Sequence, residues 1–61
     1  MNEDYLNGFR AAVIDSNQFG LEFSKQLAED LKGINKNTNY SQGYMKGYEM
    51  EEVRINLLKS L

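Results

Sequence analysis

Apolar and small side chains recur at intervals of three and four through the first half of the chain. At about 100° per residue, Tyr5, Phe9, Ala12, Val13, Ser16, Phe19, Gly20, Phe23, Leu27, Leu31 and Ile34 fall on one continuous stripe, the pattern of an amphipathic helix. Asn2 is a good N-cap, and Glu3 and Asp4 follow it where the helix dipole favours negative charge. At the other end Lys32-Gly33 supplies a basic last turn and a glycine C-cap. The pattern therefore predicts a first helix over about 3–32. A competing reading breaks it at Asp15-Ser16-Asn17, with Ser16 or Asn17 capping a second piece. Such a break would have to leave the stripe in phase, which favours the unbroken helix.

Through the same half of the chain, Gly8, Ala12, Ser16, Gly20, Ser24 and Ala28 recur at every fourth position. Residues i and i+4 are surface neighbours on a helix, so this row forms a shallow ridge on which a second backbone can lie close. Residues 33–39, rich in Asn, read as the turn. A second helix is expected over about 40–59, capped by Asn37, Thr38, Asn39 or Ser41. Gly43 and Gly47 weaken its first part, since each costs roughly 1 kcal/mol in a helix interior.

The second helix carries two apolar faces. Tyr44, Tyr48, Ile55 and Leu58 mark one, interrupted by Glu51, and Met50, Val53, Leu57 and Leu61 mark the other. Glu51 should lie at a bundle end or pair with Arg54, Lys46 or Arg10. The expected fold is all-α, a single domain over 1–61: an antiparallel helical hairpin of a long and a shorter helix. One hairpin cannot cover both faces of the second helix, so the hairpin is expected to assemble into an oligomeric bundle. Gly8, Ala12, Ser16 and Gly20 on the ridge, with Met50, Val53, Leu57 and Leu61, are the expected self-association residues.

Size adds to that expectation. A chain of 61 residues buries only about 60% of its unfolded surface. With no Cys and no His, disulfides and the commonest transition-metal ligands are not available as staples. The net charge of −2, with both signs interleaved, argues against a nucleic-acid footprint and against a DNA mimic. No apolar run is long enough to span a membrane, and Met1-Asn2-Glu3-Asp4 does not read as a signal peptide, so a cytoplasmic protein is expected.

An aromatic-glycine phrase occurs in both helices, as Tyr5-x-x-Gly8-Phe9 and as Tyr40-x-x-Gly43-Tyr44-x-x-Gly47-Tyr48. A ring one turn from a glycine can cover bare backbone beside a tight crossing. Alternatively, Tyr40, Tyr44 and Tyr48 could stack on nucleotide bases while Lys36, Lys46 or Arg54 meets phosphate. Tyr5-Leu-Asn-Gly-Phe also aligns with Tyr44-Met-Lys-Gly-Tyr without a gap, as an internal duplication would. This phrase, in a Cys-free, Asn-rich chain, resembles small accessory proteins encoded by tailed bacteriophages over residues 5–13 and 40–53. The resemblance implies a viral protein that binds a bacterial target, as some such proteins do to counter host enzymes or immune systems.

No reading of the residues leads to catalysis. Asp15-Ser16-Asn17-Gln18-Phe19-Gly20 opens like a calcium loop, then places Phe19 at the fifth position and Gln26 at the twelfth, where ligands belong. Glu49, Glu51 and Glu52 lack a cleft to shift their acidity, and Ser16 and Ser24 lack a base. The expected function is a non-enzymatic, cofactor-free protein that inhibits or redirects a host protein through a helical surface. The alternatives are an oligomeric sponge for a nucleotide second messenger and a dimeric nucleic-acid-binding bundle.

Overall fold

A computed structural model describes residues 2–34 and 38–61. They form three helices, α1 (Glu3–Phe19), α2 (Leu21–Ile34) and α3 (Asn39–Ser60), with no strand among the described residues. Asn2 caps α1 as expected, its Oδ1 accepting from the backbone N–H of Asp4 at 2.9 Å and of Tyr5 at 3.2 Å. Thr38 is the cap of α3, its Oγ1 accepting from the Ser41 N–H at 3.1 Å.

The stripe over 3–32 is not one helix. It breaks at Gly20, one turn beyond the competing Asp15-Ser16-Asn17 position, where φ 96° and ψ 163° place the backbone in a region reserved for glycine. Burial does not follow the stripe across the break: Phe19 and Phe23 are exposed and Ser24 and Ala28 are buried, because the chain folds back about that residue. Ser16 and Ser24 stand four positions either side of Gly20, and the Ser16 hydroxyl donates to Ser24 Oγ at 2.8 Å. Ala12 and Ala28, eight positions either side, lie in the same buried core with Tyr44 and Tyr48. The helical continuation also carries Gly33 inside α2, so the expected C-cap there does not form.

The hairpin of a long and a short helix is replaced by a bundle that runs up, down and up. Tyr5 lies against Gly43, Phe9 and Ala12 against Gly47, and Asn17 against Glu51 and Arg54, so α1 and α3 advance in parallel. The returning strand of the bundle is α2, whose Lys32 comes back beside Tyr5 and Ser41 at the starting end.

Glycine decides how closely α1 and α3 approach. A Cβ added at Gly8 would overlap the Tyr40 carbonyl, one at Gly43 would overlap the Tyr5 carbonyl, and one at Gly47 would come within 2.5 Å of the Phe9 carbonyl. Gly8-x-x-x-Ala12 and Gly43-x-x-x-Gly47 thus press backbone on backbone, the geometry that small residues four apart permit. The two aromatic-glycine phrases face one another reciprocally, Tyr5 on Gly43 and Gly8 on Tyr40. The fold matches Tyr5 to Tyr40, not to Tyr44 as the ungapped alignment has it. The glycines expected to weaken the second helix are what let it pack.

Candidate functional site

Of the six residues expected to bind a ligand, the five that the structure describes do not converge. Tyr44 is fully buried and donates its hydroxyl to Asp15 Oδ2 at 2.6 Å. Tyr48 is buried too, its hydroxyl donating to Glu52 Oε2 at 3.0 Å. Neither ring face is open to stack on a base. Burial, and then the acceptor carboxylate of Asp15, push the Tyr44 phenol well above its ordinary range. Tyr48 shifts the same way, through burial first and the Glu52 carboxylate second. Tyr40 alone of the three is exposed, at 39%, with its ring stacked on that of Tyr44 at 6.4 Å. Lys36 lies outside the described residues.

Lys46 lines a shallow cleft of about 320 Å³ at the starting end of the bundle, together with Tyr5, Lys32, Ser41, Met45 and Glu49. Arg54 belongs near the other end, where it closes a clamp between α1 and α3. Its Nε donates to Glu51 Oε2 at 2.7 Å and its Nη2 to Glu51 Oε1 at 3.1 Å and to Asn17 Oδ1 at 2.9 Å. The Asn17 amide also donates to Glu51 Oε1 at 2.5 Å and to the Val13 carbonyl at 2.7 Å. The hydrogen bonds from Arg54 hold the Glu51 carboxyl below its usual range; they outweigh burial, which acts the other way, and the Asn17 amide adds to them. Glu51 thus takes Arg54 from the three expected partners. Arg54 Nε and Nη2, the Asn17 amide and both Glu51 oxygens are engaged with one another, so the clamp joins α1 to α3.

The residues expected to carry self-association divide in two. Gly8, Ala12 and Ser16 are buried by the chain itself, against α3 and α2, and Gly20 sits exposed at the corner. Met50, Val53, Leu57 and Leu61 remain open, with Leu57 64% exposed. Leu58, placed on the buried face by its spacing, is exposed as well. For Leu57, Leu58 and Leu61 the reason is length: Asn17, near the end of α1, is already level with Glu51 and Arg54, so the last turns of α3 run past the Gly20 corner with no helix beside them, whereas Met50 and Val53 are alongside α1 on the exposed face of α3. At that corner the rings of Phe19 and Phe23, expected on the buried stripe, are exposed and touch each other at 4.9 Å.

An uncovered apolar end on α3 is therefore the strongest candidate for an interaction surface. Periodicity had marked Met50, Val53, Leu57 and Leu61, but not Leu58, Phe19 and Phe23, whose exposure depends on where the neighbouring helix stops. Nothing in the sequence pairs Asp15 with Tyr44 or Asn17 with Glu51, since each pair joins distant parts of the chain. No helix of the described residues is long and apolar enough to cross a membrane. No protein family, curated protein or solved structure matches this chain.

Proposed function

We propose that this chain is a non-enzymatic binding protein that takes hold of a protein partner through the apolar end of α3. The observation that carries the reading is the exposure of Met50 and Val53 on the outward face of α3 and of Leu57 and Leu58 on its protruding end, in a chain that has otherwise packed its helices closely. An apolar helix end of this kind suits a hydrophobic groove, with anchors spaced at three and four residues. The resemblance to phage accessory proteins adds the class of partner, a bacterial protein that the chain inhibits or redirects. Nucleotide capture draws less support, because Tyr44 and Tyr48 have their rings inside the bundle.

A photo-crosslinking residue at position 57, compared with the same residue at position 25 on the polar side of α2, tests this in lysate of a bacterial host. The reading expects a defined adduct from position 57 that Val53→Glu abolishes. Equal adduct patterns from positions 57 and 25, or adducts indifferent to Val53→Glu, would rule it out.

A further inference from the structure

We propose that the protein partner of α3 presents an acidic amphipathic helix, which lies along the side of the α1–α3 pair turned away from α2. The inference rests on the binding role proposed above and adds the chemistry of the partner. α2 packs on one side of the pair, where Ser24 meets Ser16 and Ala28 joins Ala12 and Tyr44 in the core. On the opposite side no helix of the described residues covers the seam. At about 100° per residue, Leu6, Arg10 and Val13 of α1 fall there with Asn17, whose bond to Arg54 fixes the direction of α3. The same rotation brings Lys46 and Met50 of α3 to this side, with Val53 at its rim. Leu6 and Val13 are half-buried and Met50 and Val53 exposed, so an apolar row runs along the seam.

The charges around that row are mostly of one sign. Phe9 lies against Gly47, so Arg10 and Lys46 stand at one level, one on each side of the seam. Neither makes an ion pair among the described residues. Arg54 follows further along, with Glu51 buried beneath it, and Glu3 stands at the starting edge. Other carboxylates gather across the bundle: Glu52 accepts from the Tyr48 hydroxyl, and the fields of Glu22 and Glu29 reach the same group. A chain of net charge −2 has thus set a cationic rim around an apolar row.

That mixture discriminates between occupants. A second copy docked by the same side about a two-fold axis would set cations against cations. Nucleic-acid phosphates would meet the cations and leave Leu6, Val13, Met50 and Val53 in water. A helix with apolar anchors three and four residues apart buries the row, and carboxylates on its two flanks meet Arg10 on one side and Lys46 on the other. Exposed ion pairs add little affinity, so these charges act in choosing the partner and speeding the encounter.

Two synthetic peptides test this, each with leucine at i, i+3, i+7 and i+10 and with either glutamate or lysine at the flanking positions. Titrated into the isotope-labelled chain and followed by amide chemical shifts, the glutamate peptide is expected to move Leu6, Arg10, Val13, Lys46 and Met50, less tightly as salt rises. The lysine peptide should bind about tenfold more weakly. Arg10→Glu/Lys46→Glu should invert the preference; both positions are exposed, and an unchanged melting curve checks the fold. Arg10→Gln/Lys46→Gln should abolish it, and decides if the reversed pair does not fold. Equal affinity for the two peptides, shifts confined to α2, or no shift with either would overturn the acidic helix. So would a single-stranded oligonucleotide that moves the same amides at lower concentration, or self-association that moves them without peptide. The cross-link at position 57 separates this inference from the reading beneath it. A defined adduct of equal yield from the chain and from Arg10→Glu/Lys46→Glu keeps the protein partner and removes its acidic helix, whereas equal adduct patterns from positions 57 and 25 remove the partner itself.

Discussion

Gly33 and Gly43 both lie inside helices, yet a methyl group has opposite consequences at the two. At Gly33 it enters open space, and Gly33→Ala should raise stability by up to about 1 kcal/mol through helix propensity. At Gly43 it meets the Tyr5 backbone, which cannot rotate away as a side chain does. Gly43→Ala should lower stability by about 1–3 kcal/mol. Thermal melting by circular dichroism resolves the contrast, since 1 kcal/mol moves Tm by roughly 4–8 °C in a chain this small. The titrating residues make a second prediction. The folded Glu51 carboxyl titrates below its unfolded counterpart, so its contribution is present above the unfolded value near pH ~4 and is lost as pH falls through the folded one. Tyr44 has the opposite sign: its contribution is complete below about pH 10 and fades as pH rises toward the folded value. Glu51→Gln should flatten the acid limb of a stability profile and Tyr44→Phe the alkaline limb, each leaving the other limb in place.

At the scale of the element, α3 is one continuous helix with two unlike halves. Its first half is locked between α1 and α2 by Gly43, Tyr44, Gly47 and Tyr48, and its second half runs free of them beyond Arg54. Substitutions should divide accordingly. Tyr44→Ala removes a fully buried ring and should cost about 3–5 kcal/mol, whereas Leu57→Glu should leave the melting curve within about 0.5 kcal/mol because Leu57 faces water in the single chain. Tyr40→Ala should fall between them, losing a half-open stack worth about 0.5–1.5 kcal/mol. A melting series of the three variants checks this order; a Leu57→Glu chain as damaged as Tyr44→Ala would mean that the end of α3 is packed in solution.

For the whole molecule, cohesion is concentrated at one crossing. The α1–α3 contact joins the two aromatic-glycine phrases backbone to backbone, while α2 is held by Ala28, the serine pair and the partly buried Leu21, Leu27 and Leu31. Native-state hydrogen exchange should therefore show the slowest amides in α1 and the first half of α3, near Ala12 and Tyr44. The first turn of α2 after Gly20 and the last turns of α3 should exchange fastest, since they lack neighbouring helices or helical partners. Uniform protection along all three helices would contradict such a division.

Local chemistry and periodicity are properties of the chain in one dimension, and they were enough for the all-helical class, the Asn2 cap, the extent of the last helix and the apolar row Met50, Val53, Leu57 and Leu61. They could not locate the break, because the spacing of the stripe does not change at Gly20, although the turn there moves burial from Phe23 to Ser24 and Ala28. Nor could they say whether the ridge of Gly8, Ala12 and Ser16 meets a second copy or its own chain: close approach needs small residues in either case. The parallel run of α1 and α3, the burial of Tyr44 and Tyr48, and the Asn17–Glu51–Arg54 clamp all join residues distant in sequence. Only the tertiary structure decided these, because they depend on which helix ends where and on what lies beside it.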